Sequence, residues 1–280
     1  MNLAFSTNAY TRHSLESALE GIAATGYRSV EILADRPHLF PPEWDPPRIA
    51  ALRRRLADLG LAVCCLNANT AAGLYRDPPP EPLFGPGLCN PDAGRRGARV
   101  DYTRRCLDLA ASLGAPCITL TSGRAVPGCP PEQAVGHLHA SLAALLPHAA
   151  ACGVRLALEY EPGLLVERAT QALALCDRMA SPWLGLNLDV GHAWVVGEEP
   201  AEVVRRAGPG RLCHLHLEDI RDRVHYHRIP GEGEIDFAAI FAALRAIDYR
   251  GAAAVELYTC IDDPSGAARR SRQHLGQWIG

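Results

Sequence analysis

Four residues have the types and spacing for metal chemistry: Glu159, Asp189, His216 and Glu256. Each stands near the end of a short apolar, strand-like run, in RLALEYE, LGLNLD, LCHLHLE and AAVEL. Side chains on four strand ends converge on one point only if the strands run parallel and wrap into a barrel. Three carboxylates and one imidazole then form a mononuclear site for a divalent metal ion. Such a hard O3N set suits Mn2+, Mg2+ or Co2+, with Zn2+ as an alternative. A metal ion polarises a carbonyl and its neighbouring hydroxyl, lowering the pKa of the carbon acid between them. Proton transfer then needs a base close to that carbon. Glu159 and Glu256 lie on the fifth and eighth strand candidates and so flank the barrel mouth from opposite sides. One is placed to remove a proton and the other to return it.

Neighbouring residues complete the set. Glu161 shares a face with Glu159 and precedes Pro162-Gly163, so it reads as either a substrate contact or a solvated acid. Asn187 shares a face with Asp189. His214 shares one with His216 but lies deeper, as a hydrogen-bonded core histidine would. Glu31, Asn67, Thr121 and Ser122 stand at strand ends facing the same mouth, for substrate binding or for ordinary capping.

The elements that must position these residues follow from apolar runs bounded by turn residues. Eight strand candidates appear: 3–7, 29–33, 62–67, 117–122, 155–160, 184–189, 212–217 and 252–257. Helix-period segments lie between them: Ser14 to Thr25, Pro46 to Leu59, Tyr102 to Leu113, Pro131 to Cys152 and Asp236 to Tyr249. These five are followed by Gly26, Gly60, Gly114, Gly153 and Gly251, residues suited to a helix C-terminus. Strands alternating with helices call for a parallel sheet, and eight of them for closure as a (β/α)8 TIM barrel. The chain of 280 residues, 48% hydrophobic, is close to the ~250 usual for one such domain, and no low-complexity linker divides it. Segment 73–100 is the exception, too rich in Pro and Gly for a regular element. It leaves strand 3 at the barrel face where active sites are built, as a lid or as a surface loop. Arg95, Arg96 and Arg99 within it could meet an anionic substrate or form a solvated face.

Composition narrows the function. A net charge of −3 and a pI near 6.4 offer no basic footprint for nucleic acid. No apolar stretch reaches the ~18 residues of a membrane span, and no signal peptide is visible after Met1. Ten scattered cysteines, with no CxxC pair, fit reduced thiols in a cytoplasm. All 28 basic residues are arginine. Without a lysine amine, imine chemistry of the aldolase or pyridoxal phosphate type is excluded.

With LALEYEPG, NLDVGHAW, HLHLED, the run from His227 through IPGEGEIDF, and VELY in place, the chain resembles the xylose isomerase-like TIM barrels over nearly its whole length. This is the sugar phosphate isomerase/epimerase superfamily. The resemblance implies a metal-dependent sugar or polyol isomerase or epimerase with a small-molecule substrate, homo-oligomer formation being left open. It implies Glu159, Asp189, His216 and Glu256 as metal ligands and Glu159 with Glu256 as the acid/base pair. His192 would hold a substrate hydroxyl. The epimerases carry an arginine six residues after the strand-7 histidine. Here that position is Asp222, between Arg221 and Arg223, and Arg223 is taken as the substrate contact. A lyase or dehydratase of the dehydroshikimate or inosose type uses the same scaffold. An endonuclease IV-type nuclease would need a three-zinc site; His192, His225 and His227 echo part of it, but strands 3 and 4 end without histidines. A non-catalytic barrel using the site only for binding is the remaining alternative.

Overall fold

A computed structural model describes residues 1–77 and 84–279. The strands are β1 Asn2–Ser6, β2 Ser29–Leu33, β3 Ala62–Asn67, β4 Cys117–Thr121, β5 Arg155–Glu159, β6 Leu184–Asp189, β7 Leu212–Leu217 and β8 Ala252–Val255. They pair in parallel in chain order and close into a barrel, β8 returning to β1. The helices outside it are α1 Leu15–Ala24, α2 Pro46–Leu59, α3 Ala93–Leu113, α4 Pro131–Cys152, α5 Ala169–Met179, α6 Val190–Val195, α7 Pro200–Arg211, α8 Phe237–Ala246 and α9 Pro264–Leu275. Together these make the expected single (β/α)8 barrel.

Period-two alternation explains the layering. Outward residues such as Val30, Ile32, Leu66, Ile118, Leu158 and Leu186 are buried against the helices in one continuous apolar layer. Inward residues are small or polar instead: Ala4, Cys65, Cys117, Ala157 and Ala254 form a separate cluster inside the barrel. Helix starts are set by side-chain caps, with Asp45 accepting from the Arg48 N–H and Asp236 from the Ala239 N–H. Gly60 and Gly153 close α2 and α4 in the left-handed region, at φ 64° and 66°, where a Cβ would be strained.

Three expectations change. Helix α3 begins at Ala93 rather than Tyr102, so part of the segment read as irregular is helical. Asp92 starts it by accepting from the Arg95 N–H at 2.8 Å. Arg99, on this helix, is buried rather than solvated and donates to the carbonyls of Ala68 and Asn69. Helix α8 ends at Ala246, and the left-handed residue after it is Asp248, at φ 53°, in place of Gly251. The lid expected over 73–100 falls partly on 78–83, outside the described residues. Among the described residues no helix is long and apolar enough to cross a membrane.

Candidate metal centre

Register brings the four expected ligands together. Asp189 pairs with His216 across β6 and β7, and Glu159 pairs with Asn187 across β5 and β6. Glu256 lies one residue past β8 and continues its ladder by donating its N–H to Leu217 O. The ligand atoms of Glu159, Asp189, His216 and Glu256 all lie within 4.8 Å of one another, and all four residues are buried. His216 Nδ1 is 3.3 Å from Glu159 Oε2, 3.5 Å from Glu256 Oε2 and 3.9 Å from Asp189 Oδ2. Among the described residues Asp189 Oδ2 has no hydrogen-bond partner.

The donor set fits a divalent cation. Two like charges ~4 Å apart repel by about 4 kcal/mol at an effective dielectric of ~20. Three carboxylates around one imidazole therefore carry more negative charge than the ring neutralises. The strain is visible in the proton affinities. Burial pushes the Glu256 carboxyl well above its usual range, and Glu159, Glu31 and Asp189 push the same way against the pull of His216. Burial also disfavours charge on Glu159 and on Asp189, but the facing imidazoles outweigh it and hold both below their ordinary values.

A ring of supporting side chains orients the ligands, and of these Asn69, Glu218 and Asp219 went unread from the sequence. Glu31 Oε2 receives both His216 Nε2 at 2.9 Å and His214 Nε2 at 3.0 Å, so His216 presents Nδ1 to the carboxylates. Asn67 Nδ2 donates to Glu256 Oε1 at 2.7 Å and to Glu31 Oε1 at 3.3 Å. Glu159 Oε2 accepts from Asn187 Nδ2 at 2.6 Å and Asn69 Nδ2 at 2.8 Å. Glu218 is fully buried and accepts from the Gly191 N–H; a side chain at Gly191 would run into its carboxylate. Asp219 gathers the N–H groups of Ile220, Gly231 and Ile235, tying down the loop after β7. HLHLED and GEGEID are thus two sides of one contact, visible only once the loop folds back.

The remaining candidates divide. His192 sits beside the cluster on α6, its N–H donating to Asp189 Oδ1 and its Nδ1 3.0 Å from Tyr160 O. Burial disfavours its charged form, yet Asp189, Glu161 and Glu159 raise its pKa to about 9. Glu161 is buried rather than solvated; its oxygens lie 3.7 Å from His192 Nε2 and 3.9 Å from His225 Nε2, and burial lifts its pKa to about 7. His192, His225 and His227 stand together, with ring centroids 4.8 to 5.8 Å apart. Asn67 is 2% exposed and its amide is engaged by carboxylates, which makes it a support for ligands. Arg223 is exposed and turned elsewhere: its guanidinium lies 4.3 Å over the Trp194 ring and donates to Trp194 O.

Comparison with known proteins agrees with this architecture. The chain is 24% identical over 274 residues to fructoselysine 3-epimerase of Shigella flexneri, covering 96% of this chain and 95% of that one. Inosose dehydratase of Geobacillus kaustophilus is 31% identical over 146 residues, 45% of this chain and 47% of its own. Among solved structures, a D-tagatose 3-epimerase-like protein superposes with a TM-score of 0.84 at 21% identity, covering 100% of this chain and 97% of its own. The IOLI protein with a binding zinc atom superposes with a TM-score of 0.81 at 19% identity, covering 100% of both chains. A model of the xylose isomerase-like TIM barrel matches residues 19–278, and the chain belongs to that family.

Proposed function

We propose that this protein is a divalent-metal-dependent isomerase or epimerase of a small sugar or polyol, working by carboxylate-mediated proton transfer. The observation that carries the reading is the convergence of three buried carboxylates on His216 Nδ1, with Asp189 Oδ2 left without a partner among the described residues. Glu159, Asp189, His216 and Glu256 would hold the cation, which supplies Lewis-acid polarisation of a carbonyl and its neighbouring hydroxyl. Glu159 and Glu256 extend from β5 and from the end of β8, on opposite sides of that point. A substrate carbon between them loses its proton to one carboxylate and receives a different proton from the other, protonated carboxyl on the opposite face, which inverts the centre; exchange with water then resets both groups. Asn69 and Asn187 hold Glu159 in place through Oε2, leaving its Oε1 for the proton, and Asn67 holds Glu256 through Oε1 with Oε2 facing the cluster. His192 and Glu161 are positioned to hydrogen-bond a substrate hydroxyl beside the cluster. The epimerase relatives favour this reading. The inosose dehydratase match favours a second one, in which the same proton abstraction is followed by loss of a β-hydroxyl.

Incubating Mn2+-loaded protein with a panel of ketoses and inososes in D2O tests both. Carboxylates exchange protons with water when the site opens, so recovered product should carry deuterium at one carbon, and chelation should stop the reaction. An unlabelled product would refute free proton exchange and point to a hydride shift. A dehydrated product would select the lyase. Turnover of nothing in the panel, with the metal bound, would count for a binding barrel.

A further inference from the structure

Beneath the carboxylate cluster the barrel interior holds a second group of donors. Cys65 on β3, Cys117 on β4 and His214 on β7 are buried, at 0%, 3% and 1% exposure. Their ligand atoms, two thiol sulfurs and one ring nitrogen, lie within 4.8 Å of one another. A buried thiol is most often a small hydrophobe, and Cys106 and Cys176 serve that way in the apolar layer outside the barrel.

Three features set the interior pair apart. His214 has its Nε2 held 3.0 Å from Glu31 Oε2, the carboxylate support that metal-ligating histidines ordinarily have. The surrounding inward residues are Ala4, Ala157 and Ala254, where branched aliphatic side chains would normally fill a barrel of this fold. A cavity of about 390 Å3, lined by Cys117 and His214 together with Cys64 and Cys213, reaches two of the three donors. It also reaches the bases of β3, β4, β7 and β8, the end of the barrel away from the carboxylate cluster.

The geometry points to a thiophilic metal site at Cys65, Cys117 and His214, distinct from the O3N centre and taking a zinc-class cation. Two sulfurs and a nitrogen are soft donors that such a cation prefers and that Mg2+ or Mn2+ does not. Water entering through the cavity supplies a fourth ligand. Binding releases the two thiol protons to solvent and involves no electron transfer. Because binding displaces these protons, occupancy rises with pH.

The test uses Cd2+ as the probe, on full-length protein already loaded with Mn2+. The thiolate-to-cadmium absorption in the ultraviolet should saturate at about one added Cd2+ per chain, with the intensity of two thiolates. The double variant Cys65→Ser/Cys117→Ser should lose this absorption. Cys152→Ser, which removes the thiol of a surface Asp108–His148–Cys152 group, should keep it. No absorption in the wild type, or absorption that survives the double variant, overturns the site. Should the double variant fail to fold, cadmium X-ray absorption on the wild type decides. Two sulfur neighbours support the site, and a shell of oxygen and nitrogen alone refutes it.

Discussion

Replacing Glu31 with glutamine keeps the side chain's shape and removes its charge. One oxygen of Glu31 accepts from two imidazoles, His216 Nε2 at 2.9 Å and His214 Nε2 at 3.0 Å. The first bond places the proton of His216 on Nε2 and leaves Nδ1 for the cation. A hydrogen bond to a charged group contributes about 1.5–3 kcal/mol and a neutral one about 0.5–1.5 kcal/mol. Only the His216 contact acts on a ligand of the mouth, and it weakens by about 1–1.5 kcal/mol. At about 1.4 kcal/mol per decade, divalent affinity at the mouth should fall roughly 5- to 12-fold. That meets the low end of the 10- to 100-fold usually lost with such supporting groups. Chelator competition with Mn2+ on the wild type and Glu31→Gln measures the change, and urea denaturation checks that the variant is folded. A folded variant whose Mn2+ affinity stays within about threefold would refute the role given to Glu31 and the tautomer argument with it.

Two further outcomes follow from particular residues. Glu256→Gln should lower kcat by about 10^2- to 10^4-fold while the variant stays folded, because the amide cannot accept a proton; near wild-type turnover would end the two-carboxylate mechanism. His38 is buried, and burial lowers its pKa from 6.5 to about 4, so the folded state prefers the neutral ring. Its contribution is fully present above pH ~6.5 and is lost as pH falls through about 4, amounting to about 3 kcal/mol between neutral pH and pH ~4. Denaturation curves for His38→Gln should show a pH dependence smaller by that amount, and identical dependence in the two proteins would contradict the burial argument.

Much of the scaffold is local and therefore legible in the chain. All eight strands fall where apolar runs end at turn residues, because an apolar run needs only its own side chains and flanking turns to declare itself. The ends shift slightly, so that Tyr160 and Glu256 follow strands read as containing them. The first turns of helix α3 were hidden because Gly94, Arg95, Arg96 and Gly97 break the apolar period, and Asp92 alone marks the start. Helices α5, α6, α7 and α9 went unread beside the stronger patterns that were taken as helix.

The sequence by itself determined the barrel and the four residues that meet at its mouth, since a strand end fixes which side chain reaches the axis. Only the tertiary structure decided what supports them. Glu31 lies 185 positions from His216, and Asn67 lies 189 from Glu256, so no periodicity links either pair. It also decided that Glu161 is buried against two histidines, that Arg223 rests on Trp194, and that Cys65, Cys117 and His214 share the interior. These depend on how eight strands stagger around a common axis. That stagger is set by the whole closed sheet, and no single strand encodes it.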